Sequence, residues 1–371
     1  VPGLDNLDQI NVTTRRYIRK NPALVDAIFN QDPLNFFLRQ NLKEDFSGGT
    51  TINENIITDV MIGGGYAKGK QFNVTQKQTE RQARFDVKLA QVSVPLYMED
   101  FRVFNKGPLA AVSLLKARVD EAYMALGAFV SIGTYMEGIN ANYVNNVNGL
   151  AEAINDGATA SWNGSTYTTY GQLTRATFTP SLDSVPVDLA GAAIEYDTLD
   201  SGYMDCFYGS GEYEPNLIVT TPKGYSYVKS KFQTQQRFQD TKLEVGVGFR
   251  GMSFNGATVV ASRYCPGSHL TGPALAGTAD KAAVMFLTET SGGVVVAYPF
   301  GNLGATEETL WILNARKPFL NYYVSNDEIF GGGFRDFIPA GNNTIVIGQV
   351  LLAHQLTLIP RYHKQIYGFA S

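Results

Sequence analysis

Residues Phe72 to Phe101 read FNVTQKQTERQARFDVKLAQVSVPLYMEDF, and Gly107 to Gly133 continue GPLAAVSLLKARVDEAYMALGAFVSIG. The first stretch alternates apolar and polar through Phe72, Val74, Phe85, Val87, Leu89, Val92 and Val94, the two-residue period of a strand. The second moves to steps of three and four, through Val112, Leu115, Val119, Ala122, Leu126, Phe129 and Gly133, behind a proline at a helical first turn. This predicts a helix from Pro108 to about Glu137, roughly 45 Å long at 1.5 Å rise per residue. Lys116 and Asp120 add an i,i+4 pair to it. Gly127 and Gly133 in its apolar half favour packing on a sheet of the same subunit over a coiled coil.

Upstream, TTINENIITDVMIG from Thr50 is rich in β-branched residues and predicts the partner strand. Between the two lies GGYAKGKQ, Gly64 to Gln71, which nearly spells a phosphate-binding loop. That loop must run into a helix whose first amides hold the phosphate. Here it runs into a strand, and Gln71 stands where a metal-binding Ser or Thr belongs. Gly63, Gly64, Gly65 and Gly69 therefore read as the flexible tip of a long two-stranded hairpin. An isolated ribbon is marginal in water and exposes unpaired edges, so it must lie on something. Lys68, Lys70, Lys77, Arg81, Arg84 and Lys88 outnumber Glu80 and Asp86, which suits an acidic strip on a neighbouring molecule or a fold back onto the same chain.

The chain has 371 residues, only 17% of them charged and 44% hydrophobic, with 22 Phe and 20 Tyr. An ordinary soluble domain is about 25% charged. A large chain poor in charge and rich in aromatics suits a subunit covered by copies of itself. The net charge of −4 lacks the basic footprint of a dedicated nucleic-acid binder. Cys206 and Cys265 have neither zinc nor disulfide-framework spacing and read as free thiols in a reducing compartment. No apolar segment opens the sequence as a signal peptide would, and the run Ala122–Met136, about fifteen residues, falls short of a bilayer span. Val1 is compatible with loss of an initiator Met or with maturation proteolysis.

Along the rest of the chain, PALVDAIFNQ and DPLNFFLRQNL have helix-like spacing behind prolines, as an arm ending near Gly48. VNGLAEAINDG is a short helix with a glycine stop, and the stretch from Ala160 to Asp188 is turn-rich. AAIEYDTLDSGYMDCFYGSG reads as a helix broken at Gly202. EPNLIVTTPKGYSYVKSKFQTQQRF gives a buried strand, Leu217 to Thr220, then a helix from Pro222. FRGMSFNGATVVASRYCPG is a hairpin turning at Asn255-Gly256. Strands follow around AAVMFLT and GGVVVAYPF, and NTIVIGQVLLAHQLTLIP and KQIYGFAS close the chain.

The sequence carries almost no catalytic motif. HExxH, GxSxG and a strand-to-helix GxGxxG are all absent. His269, His354 and His363 have no nucleophile beside them. Glu307 and Glu308 are adjacent, so they point apart on a strand or a helix and form no carboxylate pair. The glycosylation triplets at Asn11, Asn73, Asn163 and Asn342 read as chance matches. Lys229, Lys231 and Arg237 beside Phe232 and Phe238 spread around a helix axis and read as a solvated face. No enzyme, cofactor or metal is expected.

The order of elements resembles the tailed-phage major capsid protein with the HK97-type fold. Phe72–Phe101 with Gly107–Gly133 is similar to the extended loop returning into that family's spine helix. PNLIVTTPKGYSYVKSKFQTQQRF with GFRGMSFNGATVVASRYCPG is similar to its axial-domain strand, helix and hairpin, and NTIVIGQVLLAHQLTLIPRYHKQIYGFA to its closing strands. The resemblance implies an α+β class fold. Its parts are an N-terminal arm (1–48), an extended β-hairpin loop (49–104), a peripheral-domain spine helix (105–140), a mainly axial mixed α/β domain (141–310) and closing strands (311–371).

It further implies a coat protein that assembles with copies of itself as pentamers and hexamers into an icosahedral shell around double-stranded DNA. The DNA would be touched without sequence preference, no membrane would be involved, and scaffold, portal and decoration proteins are further candidate partners. Assembly would occur in the cytoplasm of a bacterial host, and the product is the virion. The implied inter-subunit contact is the loop: Gly64, Gly65, Lys68, Gly69 and Lys70 at its tip, Arg81 and Arg84 on its return. Some members of the family crosslink a loop Lys to an Asn near the closing strands with help from a Glu. Lys68 or Lys70 with Asn342 or Asn343 would be the pair, but GNNTIVIGQVLLAHQL carries no acid, so a non-covalent shell is expected. The rival readings are an encapsulin-like nanocompartment, which shares the fold, and a β-rich surface adhesin, which leaves the long helix unexplained.

Overall fold

A computed structural model describes residues 32–71, 74–98, 108–139, 145–232, 252–271, 287–289, 295–297, 303–304, 306–339 and 344–370. The expected arm before residue 32, the segment holding Arg237 and Phe238, and Asn342 and Asn343 lie outside the described residues. So do most of AAVMFLT and the triplets at Asn11, Asn73 and Asn342.

Helix α1 (Pro33–Asn41) opens on the predicted proline and buries Leu34 and Leu38. Strand β1 (Lys43–Phe46) follows, then β2 (Thr51–Ile57), β3 (Glu80–Asp86), β4 (Lys88–Tyr97) and the long helix α2 (Pro108–Thr134). The short helix α3 (Leu150–Ala153) and two small strands, β5 (Thr169–Tyr170) and β6 (Leu173–Thr174), come next. Then follow β7 (Val187–Asp188), helix α4 (Tyr196–Asp205), β8 (Leu217–Thr220) and helix α5 (Pro222–Phe232). Beyond them are β9 (Met252–Phe254), β10 (Ala257–Ala261), helix α6 (Ser268–Thr271), β11 (Leu287–Glu289) and β12 (Val295–Ala297). The chain closes with β13 (Glu308–Leu313), β14 (Leu320–Ser325), β15 (Gly331–Pro339), β16 (Ile345–Leu358) and β17 (Lys364–Phe369).

The predicted single strand from Phe72 to Val94 divides in two at Val87. Its first half, β3, pairs antiparallel with β2 from Thr51↔Asp86 to Ile57↔Glu80. Its second half, β4, pairs with β16 from Lys88↔His354 to Tyr97↔Ile345. The buried set changes parity at the break: Ala83 and Phe85 before it, Ala90, Val94 and Leu96 after it, while Leu89 is exposed. A change of sheet moves the inward face by one residue, as the period of two requires. The hairpin is regular only at its base, because Val74 lies in no strand.

Strand β16 is the organiser of a five-stranded sheet. Both of its edges are filled over residues 346–352, by β4 and by β15, and residues 354–358 pair with β14, which carries β1 in parallel. The inner face of this sheet packs on α2 and α1 through Val94, Leu96, Val346, Val350 and Leu126.

A six-stranded sheet runs in the order β7-β17-β13-β8-β10-β9. Strands β8, β13 and β17 are buried along their whole length, which requires cover on both faces. Leu217, Val219, Trp311 and Leu313 face the core shared with α2 and the first sheet. Ile218, Ile312, Ile366 and Val259 face a second core closed by α4 and α5 through Leu199, Tyr203 and Val228. Burying each such side chain contributes about 1.5–3 kcal/mol. The far end of α2 reaches this sheet, with the Tyr135 ring 6.0 Å from that of Trp311.

The predicted break at Gly202 is not found, and α4 runs through it. A Cβ there would lie 3.0 Å from Ile366 Cδ1 and 3.3 Å from Ile312 Cδ1, so the glycine lets the helix approach the sheet. The hairpin at Asn255-Gly256 forms as expected, with φ of 47° and 84°, the left-handed pair of a type I′ turn.

Candidate self-assembly surface

The base of the β2–β3 hairpin is fastened to its own chain. Ile52, Ile56, Ala83 and Phe85 form its buried face, and the Phe85 ring meets that of Tyr170 edge-on at 5.0 Å. Gly171 makes this contact possible. At φ 55° it already sits in the left-handed region, and a Cβ would lie 2.7 Å from Ala83 Cβ and 2.8 Å from Phe85 Cζ. Its carbonyl accepts the Arg84 N–H at 2.9 Å. On the other strand, Glu54 Oε1 accepts from Tyr323 Oη (2.7 Å), Thr357 Oγ1 (2.8 Å) and Asn321 Nδ2 (3.3 Å), tying β2 to β14 and β16.

Beyond this base residues 59–71 and 74–78 are exposed. Thr58 and Asp59 N–H still bond Thr79 O, at 2.9 and 3.3 Å, and Lys77 Nζ meets Asp59 Oδ2 at 2.6 Å. That lysine holds the Asp59 carboxyl below its ordinary value. At the tip the Lys70 N–H bonds Ala67 O at 3.0 Å around Gly69 at φ 85°, the glycine position of a type II turn. The sequence-predicted residues divide here. Gly64, Gly65, Lys68, Gly69 and Lys70 are together and exposed, and neither lysine makes an ion pair among the described residues. Arg84 is exposed on the base. Arg81 turns back instead, its guanidinium 5.5 Å above the Phe178 ring of the same chain.

The apolar residues of this loop carry no motif that would single them out in the sequence. Val60, Met61, Ile62, Tyr66 and Val74 are 79, 73, 55, 69 and 90% exposed, and Ile57 at the end of β2 is 70% exposed. Five large exposed apolar side chains on the loop, with Ile57 at its root, are what marks an interaction surface. In the sequence, VMIGGGY is an apolar run placed inside what the glycines mark as a solvent-facing turn. A further apolar area lies on the outward face of the five-stranded sheet, where Leu89, Tyr97 and Ile338 are exposed. An antiparallel sheet with one solvated face ordinarily alternates to polar there.

The histidines and acids serve the fold. His363 Nδ1 accepts the Asn314 N–H (3.2 Å) and Nε2 donates to Phe319 O (3.1 Å), so the ring joins the two ends of the β13–β14 connection. His354 Nδ1 lies 3.0 Å from Tyr322 Oη. Burial lowers both imidazoles to about 4. His269 Nε2 lies 2.7 Å from Arg263 O. Glu307 and Glu308 do point apart: Glu308 is buried between the hydroxyls of Thr221 and Ser268, and Thr221 Oγ1 caps α5 through the Gly224 N–H. Cys206 and Cys265 are buried free thiols, raised by burial. Asn163 is buried, which closes that triplet to a glycan. Among the described residues no His, Cys, Asp and Glu cluster suits a metal, and no helix is long and apolar enough to cross a membrane.

No protein-family model and no curated protein matches the sequence. Solved structures do match. The cyanophage A-1(L) capsid asymmetric unit aligns with a TM-score of 0.56 at 13% identity, over 91% of this chain and 92% of that one. The chain has the HK97-type shell fold. Also similar are the holo-SrpI encapsulin complex of Synechococcus elongatus PCC 7942, with TM-score 0.52, 10% identity and coverage of 90% and 87%, and the capsid of a native GTA particle, with TM-score 0.50, 13% identity and coverage of 91% and 90%. Within the HK97-type fold, helix and sheet are mixed as the sequence reading expected.

Proposed function

We propose that this chain is a major capsid protein of a tailed bacteriophage, assembling as pentamers and hexamers into an icosahedral shell around double-stranded DNA. The observation that carries the reading is the set of exposed apolar and basic residues between β2 and β3, among them Val60, Met61, Ile62, Lys68, Lys70 and Val74, on a chain of HK97-type fold. A side chain such as Met61 or Val74 gains nothing from standing in water, and each is well placed to be covered by an adjacent subunit. In this reading α2 is the spine of a peripheral domain, the six-stranded sheet with α4 and α5 is the axial domain, and the hairpin is the extended loop. Many modest contacts per subunit make the shell cooperative. The acidic, charge-poor chain suits a wall that contains DNA without gripping it.

The encapsulin-like reading is the second one, favoured by the likeness to the SrpI complex. Electron microscopy of sedimented particles from the native source, with nuclease-protected DNA measured in the same fractions, decides. Closed shells filled with DNA are the expected result. Shells filled with protein assign a nanocompartment instead, and a slowly sedimenting species without shells overturns both.

A further inference from the structure

Asp32 is wholly buried at the start of α1, where its carbonyl accepts the first helical hydrogen bond from the Phe36 N–H at 3.0 Å. Its Oδ2 accepts from Asn35 Nδ2 at 3.1 Å, and the same amide reaches Ser131 Oγ on α2. The Thr134 hydroxyl, also on α2, donates to Asn35 Oδ1 at 3.5 Å. The Leu34 and Asn35 N–H groups and the Ser262 hydroxyl also act on the Asp32 carboxyl, and Ser262 acts on the hydroxyl of Tyr135, which is equally buried.

The titratable and polar groups around this carboxyl come from three elements: Asn35 from α1, Ser131 and Tyr135 from α2, and Ser262, Tyr264 and Cys265 from the segment after β10. Among the described residues no lysine, arginine or histidine acts on it. A carboxylate here is a buried charge without a countercharge. A carboxylic acid here is neutral and gains an O–H to offer to the Tyr135 or Ser262 oxygen.

We propose that Asp32 is a proton-operated latch: protonated, it holds α1 against the end of the long helix and the segment after β10; ionised, it loosens that docking. The direction follows from linkage. Burial lifts the carboxyl from 3.8 to about 6, with the Ser262 hydroxyl and the Leu34 and Asn35 N–H groups opposing part of the rise. A raised carboxyl favours the docked state as protons are added, so docking strengthens as pH falls through about 6 and levels off below the undocked value near 3.8. A separation of about two units is roughly a hundredfold in the docking equilibrium.

Hydrogen exchange of the full chain, read by mass spectrometry near pH 5 and near pH 7.5 and corrected for intrinsic rates, tests this. The α1 amides, Phe36 to Leu42, should be roughly tenfold better protected at the lower pH, the part of the full effect that falls between pH 7.5 and pH 5, while those of β13 follow no such change. D32N should give high α1 protection at both pH values. Equal or lower α1 protection near pH 5, or a D32N chain that keeps the wild-type pH dependence, overturns the latch. If D32N does not fold, the wild-type profile decides alone: α1 changing apart from β13 supports the latch, and the two changing together refutes it.

Discussion

Replacing Val60, Met61 and Ile62 together by serine should raise the concentration needed for assembly by about three orders of magnitude and leave the fold intact. Full burial of such a side chain is worth about 2 kcal/mol. At exposures of 79, 73 and 55%, the three have on average about two thirds of that still to gain, roughly 4 kcal/mol together. That free energy corresponds to about a thousandfold in a dissociation constant. The three residues lie outside the buried core, so the melting temperature of the unassembled subunit should change by no more than about 2 °C, the usual range of surface substitutions. Light scattering and sedimentation across a dilution series give the critical concentration, and differential scanning fluorimetry gives the fold control. A variant that assembles at the wild-type concentration refutes the assignment of the tip as a contact. A variant that melts well below wild type refutes the claim that the tip is independent of the core.

Three further outcomes are expected. Charge reversal of Lys68 and Lys70 to glutamate should weaken assembly in a salt-dependent way, and a boiled denaturing gel of native particles should show a single band; a ladder of multimers would mean that the subunits are covalently joined. Gly171→Ala should cost about 2–4 kcal/mol in denaturant unfolding, combining left-handed strain with an overpacked contact, and should speed proteolysis within 58–79 as the hairpin base lifts. His354 and His363 are neutral when folded, with values near 4 against an ordinary 6.5, so each contributes stability that is full above 6.5 and is lost as pH falls toward 4, roughly 3 kcal/mol apiece. Asp32 works in the opposite direction over part of that window, so D32N should steepen the acid loss and His363→Gln should flatten it in pH-dependent denaturation.

Local chemistry was legible wherever a residue's own backbone preference decided the outcome. Pro33, Pro108 and Pro222 start helices where proline's fixed φ suits a first turn, and Asn255-Gly256 turns the chain because both positions tolerate positive φ. The all-apolar LIV of β8 announced a strand covered on both faces. What escaped was set by distant partners. Nothing local marks Val87 as the place where one strand leaves β2 for β16, since that switch depends on residues some 260 positions later. Gly202 looked like a breaker because glycine weakens an isolated helix, yet the close approach to Ile312 and Ile366 outweighs that penalty. At the candidate surface, glycine and lysine are legible by type, whereas exposure of the apolar residues is a property of the fold that their type does not announce. Arg81 was grouped with the basic residues by charge, but Phe178, nearly a hundred positions on, claims it.

Strand β16 has one more consequence, and it concerns time. Strands β1, β4, β14 and β15 acquire their shared sheet only through residues 345–358, and the β2 strand of the hairpin is tied down by Thr357 on that same strand. A ribosome emits this chain over tens of seconds at about 5–20 residues per second, so nearly all of it emerges before its central pairings exist. The loop between β2 and β3 is thus presented on a finished platform only after the closing strands have been made. A prematurely ended chain would lack the platform altogether, and the order of synthesis itself would keep incomplete subunits from joining complete ones.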